Sequence, residues 1–232
     1  MNGNECMMRP LLLRAAERGA FGKCHRFGRG SIADALFIYL DGAPEPESVE
    51  ALEAGFLARP WVCLTGAWES CIQQRYPCAQ VFPRTLMKPL SRFRFPVEKP
   101  LPEGCRLAMM DEIAFNAHPF GHGANYPSYE AFRAEGSGAV IWRDEGIVAS
   151  ASSFLSLDGE VELDVSTKEG CRGQGLASAC VAGMLRDCME RGILVHWDAQ
   201  NDASRHLAEK FGFEAEQVYP VYWYRAEKGE RG

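Results

Sequence analysis

Apolar side chains alternate with charged ones from Val161 to Val165 (VELDV), which predicts a strand. A polar link and the turn Arg172-Gly173-Gln174-Gly175 follow. Apolar residues then recur at helical spacing: Leu176, Cys180, Val181, Met184, Leu185, Cys188 and Met189. This spacing predicts an amphipathic helix. The segment therefore has the order strand, glycine turn, helix.

The remaining pattern also mixes strands and helices. In the first half we expect helices at 5–18, 47–57 and 68–76, strands at 35–40, 60–64 and 79–87, and a polar loop at 21–31. In the second half we expect strands at 105–109, 139–142, 146–154, 193–197 and 218–224, and helices at 129–135 and 202–211. The order predicts an α/β protein with a mixed sheet. Four prolines between residues 89 and 102 place a boundary near residue 97, giving domains at 1–97 and 98–232.

The composition of the chain argues against several classes of protein. The net charge of −6 argues against a nucleic-acid binder, although it leaves room for an anionic cofactor held locally. The nine cysteines form no Cys-x-x-Cys pair, so we expect neither a disulfide framework nor a metal site. No apolar run is long enough for a membrane helix or a signal peptide. We expect a cytoplasmic protein, and the sequence says nothing about its oligomeric state.

The glycine turn predicts an anion site. Glycines allow a sharp turn, and the free amides at the following helix start favour a phosphate or pyrophosphate. A Walker loop is excluded because no Lys-Ser or Lys-Thr follows. A Rossmann fingerprint matches only in part, because the third glycine is absent.

Arg172, Gly175 and Ala177 match the pattern Arg-x-x-Gly-x-Ala, and Asn201 opens a helix that ends at Gly212-Phe213. These motifs resemble the GNAT superfamily of N-acetyltransferases, which use acetyl-coenzyme A. Their order is most similar to the GNAT-like family that contains the zwittermicin-resistance acetyltransferase. The resemblance implies a GNAT-type fold in the C-terminal half. It also implies that the smaller α/β N-terminal domain could be a diverged copy of that fold.

The resemblance implies which residues contact acetyl-coenzyme A. They are Val165, Thr167, Arg172, Gly173, Gln174, Gly175, Leu176, Ala177 and Asn201. In such a fold the strand before the loop separates from its neighbour, which leaves backbone amides for the acetyl and pantetheine groups. The alternatives are an ordinary strand with every amide paired and a surface salt bridge for Arg172.

The predicted strand at 161–165 carries the candidate base. Glu160, Glu162 and Asp164 share the face opposite to Val161 and Val165. Carboxylates clustered beside a cleft suit a general base near neutral pH, and we expect Glu162 to be that base, followed by Asp164 and Glu160. An edge strand with a solvated face would explain the same pattern.

Acceptor and acid candidates come from the later strands. His196 and Asp198 share a face of the next predicted strand, and we expect them to hold the acceptor together with Glu160. His196 could equally be a hydrogen-bonded core residue. Ala208 stands where many GNAT enzymes have a tyrosine that protonates the thiolate. Tyr222 is our candidate for that acid, with Tyr219 or water as alternatives.

Two other patterns do not indicate a metal or phosphate site, and we expect the first of them to be a mobile loop over the acceptor site. His118 and His122 have a metal-like spacing, but Pro119 and two glycines prevent a helix that would align them. Gly28-Arg29-Gly30 resembles a phosphate loop only superficially, because no clear strand precedes it.

The sequence thus predicts an N-acetyltransferase that moves an acetyl group from acetyl-coenzyme A to a primary amine of a small molecule, without a metal. The alternative is an acyl-coenzyme A sensor without turnover.

Overall fold

The computed structural model describes residues 9–117, 119–120 and 125–224. His118 and His122 lie outside the described residues. The described helices are α1 Leu11–Glu17, α2 Pro46–Gly55, α3 Gly66–Arg75, α4 Glu112–Ala117, α5 Tyr129–Glu135, α6 Leu176–Arg191 and α7 Asp202–Lys210. The described strands are β1 Lys23–Phe27, β2 Gly30–Asp34, β3 Ile38–Gly42, β4 Trp61–Cys63, β5 Gln80–Met87, β6 Cys105–Met109, β7 Gly138–Arg143, β8 Gly146–Leu157, β9 Glu160–Thr167, β10 Leu194–His196, β11 Asp198–Ala199 and β12 Ala215–Trp223.

The chain divides into two compact units. One comprises Met1–Arg84 together with Val218–Gly232, and the other comprises Thr85–Gln217. Strands β5 and β12 each begin in one unit and end in the other. The domain boundary near residue 97 stays a prediction.

In the N-terminal unit, β1, β2 and β3 form an antiparallel meander, and β4 adds to β3 in parallel. Trp61 of β4 is paired with Tyr222 of β12. Fully buried Trp61 and Trp68 are at the centre of the core of this unit. The predicted loop at 21–31 is wrong, because this segment forms the β1–β2 hairpin with Gly28 at its turn (φ +47°).

The C-terminal unit is built on a five-stranded sheet in the order β10-β9-β8-β7-β6. The β9–β10 pair is parallel and the other pairs are antiparallel. Helix α6 covers one face through its apolar stripe, which includes Val181 and Met184. Helices α4 and α5 pack against Val140 on the other face. The prediction of an α/β protein with a mixed sheet is confirmed.

Strands β9 and β10 diverge after a short parallel contact. The contact covers three pairs and ends at Glu162 opposite His196. β9 continues to Thr167 along β8, while the chain after His196 moves away and forms β11 beside the end of β5. The predicted single strand at 193–197 is therefore wrong in its extent, because the backbone changes partner after His196.

The two helices after the divergence have clear ends. Gly175 precedes α6 with φ +79° and Gly192 follows it with φ +69°, a left-handed conformation that glycine adopts without steric penalty. Helix α7 is capped by Asn201, whose Oδ1 accepts a hydrogen bond from the Ser204 amide at 2.9 Å.

Candidate active site

A cavity of about 1240 Å³ lies in the C-terminal unit. Its wall is formed by the end of β9, by the loop before α6 and by the first residues of α6 and α7. The structure brings together all the residues predicted to contact the cofactor: Val165, Thr167, Arg172, Gly173, Gln174, Gly175, Leu176, Ala177 and Asn201. The cavity therefore begins where β9 has lost contact with β10.

The loop before α6 is open toward the cavity. Gly173 (φ +76°) and Gly175 (φ +79°) both have left-handed backbones, and a Cβ placed on either would meet no atom within 4 Å. No side chain caps the start of α6. The first amides of this helix, with the positive end of its dipole, can therefore bind an anion in the cavity.

Among the described residues, four cationic side chains line the cavity, and sequence reasoning identified one of them. Arg172 was predicted, whereas Lys99, Arg186 and Lys210 were not. Arg186 forms an ion pair with Glu98 and lies over the ring of Phe95. Lys99 and Lys210 are far from the loop in sequence, Arg186 lies further along α6, and none of the three belongs to a recognisable motif.

The stretch from Pro96 to Leu101 also lines the cavity. Sequence reasoning assigned this proline-rich stretch only to a domain boundary. The Leu101 side chain packs against the core under α6, whereas Val97 is 94% exposed. The backbone from Pro96 to Leu101 is irregular, and its position against the cavity depends on tertiary contacts.

The carboxylates of β9 lie on the sheet face opposite to α6. Glu162 is 5% exposed and stands in register with His196, which is also 5% exposed. His196 Nε2 lies 2.5 Å from Glu160 Oε2, so these two predicted acceptor residues are in direct contact. Ser166 Oγ donates to Asp164 Oδ2 at 3.3 Å. None of these carboxylates is among the residues that line the cavity.

The other predicted residues lie on different elements. Asp198 is half-buried on β11, so it does not share a strand with His196. Tyr222 belongs to the N-terminal unit, where its hydroxyl donates to Glu69 Oε1 at 2.7 Å and accepts from Gln73 Nε2 at 3.2 Å. Burial, with the bond to Glu69, raises the pKa of Tyr222 to about 12. The catalytic assignments of Glu162, Asp164 and Tyr222 stay predictions.

Among the residues that the structure describes, no three His, Cys, Asp or Glu side chains are grouped so that they could hold a metal ion. Within the same residues, no helix is both long enough and apolar enough to cross a membrane.

Comparison with known proteins decides the family. The family model described as GNAT acetyltransferase matches residues 33–222, which is most of the chain. The chain belongs to the GNAT acetyltransferase family. The family match includes most of the N-terminal unit, so it is wider than the motifs of the C-terminal half.

Relatives of this GNAT protein agree with that assignment. An uncharacterized N-acetyltransferase of Bacillus subtilis, YdfB, is 30% identical over 129 residues, which are 53% of this chain and 49% of YdfB. The chain thus spans about half the length of this curated relative. A GCN5-related N-acetyltransferase-like protein from Streptococcus suis is 26% identical, with a TM-score of 0.79 over 94% of each chain. A GCN5-related N-acetyltransferase from Kribbella flavida shares the fold, with 15% identity and a TM-score of 0.64 over 93% of this chain and 96% of its own.

Proposed function

We propose that this GNAT protein transfers the acetyl group of acetyl-coenzyme A to a primary amine of a small molecule. One observation carries the proposal: the residues matched to the family's cofactor positions line one cavity at the point where β9 leaves β10. The family assignment favours a transferase over an acyl-coenzyme A sensor. We further propose that residues 98–232 carry this activity, and that the protein works in a reducing cytoplasm.

The cavity fits the chemistry of coenzyme A. The open loop and the start of α6 suit a pyrophosphate, and Arg172 adds a guanidinium beside them. Lys99 and Lys210 add positive charge for further phosphate. Thr167 Oγ1 is buried at the cavity wall and has no hydrogen-bond partner among the described residues. An amide-containing ligand such as the pantetheine arm would satisfy it.

When bound, acetyl-coenzyme A supplies a thioester whose acetyl group can pass to an amine, with a thiol as the other product. The chain must then deprotonate the ammonium form of the amine, because only the free amine is a nucleophile. We assign this step to Glu162. Backbone amides near Val165 and Thr167, beyond the β10 contact, would polarise the acetyl carbonyl.

The face of the sheet around Glu162 indicates the kind of amine. Register places Ser150, Ser152, Asp164 and Glu162 on this face, and His196 stands opposite Glu162. Carboxylates and hydroxyls suit an amine that arrives as a cation and carries further polar groups. We propose such an acceptor and, by family resemblance only, an antibiotic or amino-sugar-like compound.

The test is calorimetric titration of the protein with acetyl-coenzyme A. A matched variant carries Arg172→Ala and Gly175→Glu, which remove the cation and place a carboxylate at the start of α6. We expect saturable binding by the natural sequence and at least a hundredfold weaker binding by the variant. Amines can then be screened by thiol release. A folded protein that does not bind acetyl-coenzyme A would disprove the proposed function.

A further inference from the structure

Arg143 is the last residue of β7 and is half-buried. Arg143 lies on the same face of β7 as Ala139 and Ile141. This is the face of the sheet that α6 covers. Arg143 does not line the cavity. Its guanidinium nevertheless contacts Cys171 and Gln174, at the two ends of the loop before α6.

Three nitrogens of this guanidinium have three different partners. Nη2 donates to Gln174 Oε1 at 2.7 Å, Nη1 donates to Cys171 Sγ at 3.4 Å, and Nε donates to Cys105 Sγ at 3.2 Å. Gln174 and Cys171 belong to the cavity wall, whereas Cys105 begins β6 directly opposite Arg143. One side chain therefore connects two strands of the sheet to both ends of the loop.

The ends of the loop are fixed, because Cys171 and Leu176 are buried in the core and the Cys171 amide donates to the Lys168 carbonyl, but the glycines between them are open. Gly173 and Gly175 have left-handed backbones, and nothing packs within 4 Å of the place where their Cβ atoms would be. Glycine has the largest conformational freedom of any residue, so an open loop with two glycines loses much entropy when it is ordered. A contact that orders the loop before the ligand arrives reduces that loss on binding.

We propose that Arg143 is a positioning residue for cofactor binding, which holds the pyrophosphate loop in its binding conformation through Gln174 and Cys171. This inference rests on the proposed function. Arg143 contacts the loop and not the ligand, so it acts on affinity for the pyrophosphate part of coenzyme A. The planar fork of arginine meets three partners at once, and lysine cannot reproduce that geometry.

The test measures acetyl-coenzyme A affinity for Arg143→Ala, Gln174→Ala, the double variant and Arg143→Lys. We expect Arg143→Ala to bind acetyl-coenzyme A about tenfold more weakly than the natural sequence does, and Arg143→Lys to bind it at least about fivefold more weakly. The value of kcat at saturating acetyl-coenzyme A should be unchanged in both variants. Because Gln174 is one of the two loop partners of Arg143, the effects of the two changes should overlap, and the double variant should bind less weakly than the product of the two single effects predicts.

Arg191→Ala is the matched control. Arg191 donates to the carbonyls of Gly136 and Ala134 and to Asp187, and it does not line the cavity. Its loss should lower thermal stability and leave acetyl-coenzyme A affinity unchanged. S-acetylpantetheine, which lacks the pyrophosphate, should bind Arg143→Ala as it binds the natural sequence.

The outcomes separate the two proposals. If the natural sequence binds acetyl-coenzyme A and folded Arg143→Ala binds it equally well, the positioning role is overturned and the proposed function stands. Multiplicative effects of the two single changes, or equal weakening by Arg191→Ala, would overturn the role as well. If the natural sequence does not bind acetyl-coenzyme A, both proposals fail.

Discussion

Glu162 keeps a carboxylate at 5% exposure in the interior of a strand, with His196 opposite on β10 and Leu155 opposite on β8. Burial of a carboxylate is unfavourable unless polar groups surround it, and the neighbouring residues of its own face are Glu160 and Asp164. Such a site suits a group that must accept a proton. A base at this position would act on an amine that reaches the sheet face away from α6.

We expect Glu162→Gln to lower kcat/KM for the amine by about 10²- to 10³-fold, because glutamine keeps the shape but cannot take the proton. Affinity for acetyl-coenzyme A should be unchanged. The measurement is the rate of thiol release from pH 6 to pH 9. Glu145→Gln, a change at an exposed residue of the β7–β8 turn, is the control. An unchanged rate with an unchanged pH profile would show that Glu162 is not the base.

Ala208 shows what the sequence could and could not reveal about a single residue. The sequence showed that this position has no tyrosine, and the structure shows that a tyrosine would not fit there. Ala208 is fully buried, and its carbonyl accepts from the amides of Phe211 and Phe213. A tyrosine at this position would overpack the core. Burial by its neighbours is a tertiary property, so a local pattern could not predict it.

At the scale of elements, prediction succeeded where one segment contains all its own signals. Helix α6 has a complete apolar stripe and a glycine at each end, and α7 has an asparagine cap. The β1–β2 hairpin was missed because β1 has largely exposed, polar residues (KCHRF) and no apolar alternation. The split between β10 and β11 was missed because a change of strand partner leaves no mark on side-chain type.

Asn201 allows the helix cap and the ligand contact to be separated. Replacement by alanine should lower the free energy of unfolding by about 1 kcal/mol, because the Ser204 amide loses its partner. Asn201→Asp keeps an acceptor for that amide, so stability should be retained, while the added negative charge weakens acetyl-coenzyme A binding. Urea unfolding and calorimetry measure the two effects. Equal binding by Asn201→Asp and the natural sequence would exclude a ligand contact.

At the scale of the molecule, ionisable groups buried in both units link stability to pH. Burial raises the pKa of the Cys180 and Cys188 thiols from 9.0 to about 12 in the C-terminal unit. It raises the pKa of Cys63 to about 12 in the N-terminal unit as well. The folded state therefore favours the neutral thiol. The stability that this preference contributes is fully present below about pH 9 and is lost as the pH rises toward 12.

We expect the free energy of unfolding to fall by about 2 kcal/mol for each of these thiols between pH 9 and pH 11. Urea unfolding at each pH measures it. The double variant Cys180→Ala, Cys188→Ala should be less stable at pH 8 but should lose less stability above pH 9. Cys78→Ala, at an exposed cysteine, should follow the natural sequence. If stability depends on pH in the same way in all three proteins, the buried thiols are not the cause of the loss above pH 9.

The path of β12 has a consequence for the growing chain on the ribosome. Trp61 of β4 is translated about 160 residues before its partner Tyr222. At about 5–20 residues per second, the first unit to emerge waits roughly 8 to 32 seconds for its final strand. The second unit, made later, already has nearly all of its own strands by then. During that interval the edge of β4 lacks the strand that later pairs with it, and an unpaired strand edge favours non-native pairing.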